Sequence, residues 1–220
     1  MLIEIFSDVV CPWCYIGKRR LDMVMQTEVG EGVELAWRPY QLYPNIPAGG
    51  LLREDVLRAR HPEADDEDLE TLKRKVPSRI RAEAEGVGIE FDFAAMATVP
   101  NTRLAHRLLM FVEDVVGSLA LQHDLAEELF SLHFCHGQDV GDAEVLVEAA
   151  RRLGLDVDAV RAYLAGDSGS AALDRELARA VDVGVSGVPG FLLGGRFLLP
   201  GAQTPEVIGQ FISRAKERLG

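Results

Sequence analysis

The chain has 220 residues, 48% of them apolar, so it can bury a sizeable core, and its formal net charge of −12 argues against nucleic acid or an anionic membrane as a main partner. No run of about 18 apolar residues occurs, so no membrane span is expected. The start, MLIEIFSDVVC, lacks a basic n-region and a cleavage-like tripeptide, which makes the cytoplasm the expected compartment.

Residues 2–6, LIEIF, suit a short strand. Cys11 and Cys14 follow in VVCPWCYIGKRRL, and Ile16, Leu21, Val24 and Met25 carry helical spacing beyond them. Pro12 is tolerated in a first helical turn because its missing N–H would be unpaired there. The spacing therefore predicts strand, short loop and helix, with Cys11 at the helix N-terminus. Gly30 to Gly32 supply a stop, and residues 33–40, VELAWRPY, read as a second strand. A β-α-β unit within forty residues opens an α/β domain.

The Pro/Gly-rich stretch 41–50, QLYPNIPAGG, changes the texture. From about 51 to 165 the apolar residues recur at three- and four-residue spacing and no convincing strand is visible, so an all-helical insertion is expected. Asn101 or Thr102 would cap the helix that holds Leu104, Leu108 and Leu109, and Asp142 would cap the one through Val145 and Leu146. Residues 171–183 form another helix, ended by Gly184. Gly190–Leu193 and Arg196–Leu199 read as a hairpin turned at Gly194-Gly195, and Thr204 with Pro205 starts a terminal helix.

Only three cysteines are present, and two of them lie three apart. In a reducing compartment such a pair is more often catalytic or metal-binding than structural. A thiol attacks a disulfide only as thiolate, and a helix N-terminus offers unpaired N–H groups and roughly half a positive charge. Cys11 is therefore expected to be the nucleophile with a lowered pKa. Cys14, one turn on, is expected to be the more buried thiol that resolves the mixed disulfide. Pro12 fixes the turn, and Trp13 is expected at an exposed rim. Glu4, a charge in an apolar strand, could lie beneath the cysteines and move protons from Cys14 as a base of raised pKa; the bland alternative is a solvent-facing glutamate. Asp8, in the loop before Cys11, competes for that role.

Strand, CxxC helix, strand, then helix, Val-Pro, hairpin and helix resembles the thioredoxin pattern. The helical insert resembles the DsbA branch. CPWCYIGKRRL, WRPYQLYP, NTRLAHRL, GVSGVPGFLL and GAQTPEVI together look like the FrnE-type DsbA-family oxidoreductases, over nearly the whole chain. The resemblance implies a thioredoxin-like domain made of residues 1–45 and 168–220, with 46–167 as the helical insertion. It also implies a cis bond at Val188-Pro189 against the CxxC, where the backbone before the proline pairs with an extended substrate. Thiol-disulfide exchange on protein or small-molecule disulfides follows as the expected activity, with no bound organic cofactor and with glutathione or a thioredoxin-type reductant recycling the pair.

Two other functions compete. Chromene-carboxylate isomerases and kappa-class glutathione transferases look similar in architecture, but carry serine where this chain has Cys11 and an Asp-Arg pair where it reads GAQTPE. A binding module with a vestigial CxxC is the third reading. Cys135, flanked by His133 and His136 with His123 one helix face away, lacks the paired spacing of a zinc site, so no metal is expected. NTRLAHRL resembles a segment that faces the active-site region in related folds, which would place His106 near the site; a satisfied helix histidine is the blander and preferred reading.

Overall fold

The computed structural model describes residues 1–219. Strand β1 (Leu2–Ser7) is buried along almost its whole length, as befits a central strand. Helix α1 (Pro12–Met25) and a short 3-10 turn at Glu28–Gly30 carry the chain to β2 (Glu34–Pro39). β1 and β2 pair in parallel, with Ile3 beside Leu35 and Ser7 beside Pro39. Far along the chain, β5 (Gly190–Leu193) pairs antiparallel with β1, and β6 (Phe197–Pro200) pairs antiparallel with β5. The sheet order is β2-β1-β5-β6. All four strands fall within residues 1–45 and 168–220. The β5–β6 turn is made by Gly194 and Gly195, both at positive φ (55° and 68°), which is the backbone a tight hairpin demands.

Between β2 and β5 the chain is helical: α2 (Arg53–Arg60), α3 (Asp66–Arg74), α4 (Ser78–Glu85), α5 (Arg103–Phe111), α6 (Leu119–Phe134), α7 (Ala143–Arg152), α8 (Val157–Ala165) and α9 (Ser170–Asp182). A single π-helical turn, Val112–Val116, extends α5. The insertion is not purely helical, however. β3 (Leu51–Leu52) and β4 (Thr98–Val99) form a two-residue antiparallel ladder that closes the α2–α4 excursion, and segments this short have no period to read. Asp142 caps α7 through the N–H groups of Glu144 and Val145, as its position predicts. At α5, Thr102 takes the N-cap position, but Asn101 Oδ1 accepts the Arg103 N–H. Helix α10 (Pro205–Leu219) starts at Pro205.

One large apolar core joins the sheet to the insert, running from Ile3, Ile5 and Ile16 through Trp37 to Leu125, Leu129 and Phe130. A smaller cluster, Phe6, Ala180, Val185 and Leu192, fills the other face of the sheet beneath α9. The outer edge of β2 is closed by a side chain. Gln122 of α6 accepts the Trp37 N–H at 2.9 Å and donates to the Trp37 carbonyl at 3.3 Å, so that strand's backbone is paired on both sides there. Among the described residues, no helix is long and apolar enough to cross a membrane.

Candidate active site

The loop after β1 turns at Asp8, whose carbonyl accepts the Cys11 N–H at 2.9 Å. Cys11 takes the N-cap position of α1 with an extended backbone (φ −97°, ψ 111°), and Pro12 is the first helical residue. The Cys11 carbonyl already accepts the N–H groups of Cys14 and Tyr15, so the sulfur sits where the helix offers its unpaired donors. Both active-loop thiols are free and buried, Cys11 at 4% exposure and Cys14 at 1%. Burial pushes the Cys14 thiol well above its ordinary pKa, and the hydrogen bond with Cys11 and its nearby charge push it further; the Ser7 hydroxyl and the Asp8 backbone oppose them.

Val188-Pro189 is a cis peptide, and the Cys11 thiol donates to the Val188 carbonyl at 3.8 Å. Helix α1 reaches this loop because residue 17 is glycine. A Cβ there would stand 3.0 Å from Pro189 Cγ, 3.4 Å from Phe191 Cζ and 3.5 Å from Ala202 Cβ. A glycine inside a helical pattern is the sequence signal for such close packing.

Trp13 is half-buried against the core rather than at an exposed rim, and the Arg79 guanidinium from α4 lies 5.2 Å from its ring centroid. The insert covers this side of the loop, which no local pattern announces.

Glu4 lacks the raised pKa expected of it. The residue is 7% exposed, and its carboxylate holds Arg38 of β2 at 2.9 Å and Arg179 of α9 at 2.8 Å. Burial alone would raise its pKa, but the hydrogen bonds from Arg179 and Arg38 outweigh it and hold the carboxyl below the usual range. The expected base of raised pKa is thus an ionised group locked between two guanidinium groups.

Asp8 is different. It is 1% exposed; Oδ2 accepts the Leu42 N–H at 2.7 Å, while Oδ1 makes no hydrogen bond among the described residues and stands 3.4 Å from Nε2 of His106. Ser7 Oγ, also buried, has no partner besides the Cys14 thiol it lies against. Sequence reasoning passed over Ser7, because a serine at a strand end carries no signature of its own.

The remaining candidates disperse. His123 accepts the Trp37 indole N–H on Nδ1 at 3.1 Å and faces Asp22 through Nε2 at 2.7 Å. His136 Nδ1 is 3.0 Å from the Ser131 carbonyl. Burial drives the His133 pKa down to about 4 and pushes the half-buried Cys135 thiol up.

A family model for the DSBA-like thioredoxin domain matches residues 2–213. The chain belongs to this family. A probable DsbA oxidoreductase from Streptomyces coelicolor is similar in structure, at 28% identity and a TM-score of 0.82, with 99% of this chain and 90% of that one covered. A 2-hydroxychromene-2-carboxylate isomerase shares the fold at 17% identity and a TM-score of 0.70 (99% and 97% covered). So does the cytosolic disulfide reductase DsbM from Pseudomonas aeruginosa, in a structure with glutathione, at 18% identity and a TM-score of 0.66 (100% and 99% covered). The sheet-plus-helical-insert architecture described above is that of this DsbA-like family.

Proposed function

We propose that Cys11 and Cys14 form a dithiol couple and that the protein is a thiol-disulfide oxidoreductase of the FrnE-type branch. The carrying observation is the pairing of two buried, hydrogen-bonded thiols on the first turn of α1 against Val188-Pro189. In the forward direction the Cys11 thiolate attacks a substrate disulfide, and one substrate sulfur leaves as thiolate. Cys14 loses its proton and attacks the Cys11 sulfur of the mixed disulfide. The second substrate thiol leaves, two electrons have passed to the substrate, and Cys11 and Cys14 are joined. Glutathione or a thioredoxin-type dithiol returns the pair to its reduced form.

The raised pKa of Cys14 makes its deprotonation the step that needs help. Ser7 and the Asp8 backbone contact the sulfur, and the Asp8 carboxylate has a free oxygen, so Asp8 rather than Glu4 is the carboxylate assigned to proton transfer. Pro12 and Trp13 shape the loop, and the backbone at Val188 would pair with an extended segment of a protein or small-molecule disulfide.

The test is a redox titration in glutathione buffers with thiol alkylation as readout. A reversible two-electron transition that disappears in Cys11→Ser and in Cys14→Ser supports the couple. The fold shared with the chromene-carboxylate isomerase favours a second reading, glutathione-dependent isomerisation. Turnover of a small substrate that survives Cys14→Ser, with no dithiol transition, would replace the first reading by the second.

A further inference from the structure

His106 lies on α5, in the insert, yet it reaches the redox loop. It is 2% exposed, and its Nε2 stands 2.9 Å from the Tyr40 carbonyl. A carbonyl only accepts, so Nε2 carries the proton. The same N–H faces Asp8 Oδ1 at 3.4 Å. Asp8 in turn accepts the Leu42 N–H on its other oxygen, and its carbonyl accepts the Cys11 N–H. The Tyr40 N–H donates to the Ser7 carbonyl at 3.0 Å. Residues 40–42 are thereby fixed to the loop that presents Cys11 by a carboxylate and an imidazole, both buried.

The segment so held is not itself buried. Leu42 is 37% exposed and Tyr43 42% exposed, so both side chains are open to solvent. Tyr40 and Val188 pack on the same small cluster around Phe6 and Leu192. Residues 40–43 and the Val188 loop thus flank the same end of the sheet, and the Cys11 thiol contacts the Val188 carbonyl.

We infer that His106 is a positioning residue of the redox centre, which holds residues 40–43 beside Cys11 as the second wall of the substrate cleft, opposite Val188. The occupant of that wall is an extended polypeptide whose apolar side chains, next to its disulfide, rest on Leu42 and Tyr43. The inference rests on the dithiol reading of Cys11 and Cys14. It assigns His106 no proton transfer, since its N–H is already committed to the Tyr40 carbonyl.

The experiment compares two disulfide substrates: hydroxyethyl disulfide, too small to touch the wall, and a flexible peptide with one disulfide flanked by apolar residues. In His106→Leu the peptide KM should rise about tenfold, equivalent to about 1.4 kcal/mol. Proton transfer at Cys14 serves both substrates, so any effect through Asp8 lowers both rates alike, and the peptide-to-hydroxyethyl-disulfide ratio of kcat/KM should still fall about tenfold. His106→Gln, whose amide can still donate to the Tyr40 carbonyl, should restore much of the peptide KM, a rescue that a merely structural role would not produce. Equal loss with both substrates in a folded His106→Leu protein, or no change with either, would overturn the inference. Should His106→Leu fail to fold, the paired exposed substitutions Leu42→Ala and Tyr43→Ala carry the same expectation, and an unchanged peptide KM overturns it. A wild-type protein that exchanges with neither substrate would instead refute the dithiol reading on which the inference stands.

Discussion

Glu4 separates two accounts of the centre of the sheet, and Glu4→Gln distinguishes them. Glu4 pairs across the ladder with Ala36 on one side and Leu192 on the other, with its carboxylate buried on the face covered by α9. Glutamine keeps the shape and one acceptor oxygen but removes the charge that Arg38 and Arg179 share. Each arginine retains another carboxylate, Glu113 for Arg38 and Glu176 for Arg179, so neither guanidinium is left wholly unpaired. Hydrogen bonds to charged groups contribute about 1.5–3 kcal/mol, and breaking a buried pair outright costs about 3–5 kcal/mol. With partial compensation the expected loss is about 2–3 kcal/mol. For a chain of this size that is roughly 4–12 °C in melting temperature. The dependence on pH follows from the lowered pKa of Glu4. A carboxyl whose pKa falls on folding contributes its stability above its unfolded pKa, about 4.3, and loses it as the pH falls through the folded value. Wild type and Glu4→Gln should therefore differ at pH 7 and draw together as the pH falls below about 4.3 and through the lowered folded value. Urea and thermal melts at both pH values measure the first quantity, and the pH profile of disulfide exchange measures the second. The ion-pair account expects that profile to stay in place. Unchanged stability together with a displaced rate profile would refute it and return Glu4 to the role of base.

Gly17 and Arg107 give two further tests. Gly17→Val adds atoms where even a Cβ is tight against Pro189, and overpacking of this kind costs about 1–3 kcal/mol. Because the displaced loop carries Val188, exchange should slow as well as stability fall, and wild-type exchange kinetics in this variant would mean that the approach of α1 to Pro189 does not set the centre's geometry. Arg107, 5% exposed, donates to the carbonyls of Tyr163, Leu164, Gly166 and Ser168 at 2.6–3.4 Å and so closes the C-terminus of α8. Arg107→Met should leave those carbonyls short of donors and cost about 3–5 kcal/mol in chemical denaturation; a loss under about 1 kcal/mol would show that other groups satisfy them.

What could be read from the sequence was whatever is local. Gly194-Gly195 announces its hairpin because the two positive-φ positions sit side by side, and Asp142 announces its helix because a cap acts within three residues. The second hairpin strand still begins one residue later than its pattern suggests, at Phe197 rather than Arg196, since turn and strand share that residue's polarity. The placement of the CPWC pair is legible for the same reason: a helix N-terminus and its first turn are contiguous in sequence. Glu4 shows the limit. Its charge stands out in an apolar strand, but its meaning depends on Arg38 and Arg179, 34 and 175 residues away. Trp13 reads as solvent-facing because Arg79 approaches it from another helix. His106 reads as a bland helix histidine because the Tyr40 carbonyl and the Asp8 carboxylate come near it only when the insert docks on the sheet.

That docking explains why the residues after CPWC are so polar for a buried helix. Tyr15 donates to Glu127 of α6, and Lys18, 4% exposed, is held between Asp22 and Glu127. Arg19 also reaches Glu127, while Arg20 bonds Glu83 of α4 and donates to the Ala202 carbonyl. Asp22 faces His123, which accepts from the Trp37 indole. An indole only donates, so Nδ1 of His123 is an acceptor and Nε2–H points to Asp22, which fixes the tautomer. Helix α1 is therefore tied by ion pairs and hydrogen bonds to α4 and α6 of the insert, and by Gly17 and Arg20 to the loop and segment that flank β5 and β6. It is a shared contact between the sheet and the insert. Relative motion of the halves would thus reach Cys11 along two routes, through α1 itself and through the His106–Asp8 contact, and both routes end at the first turn of the same helix.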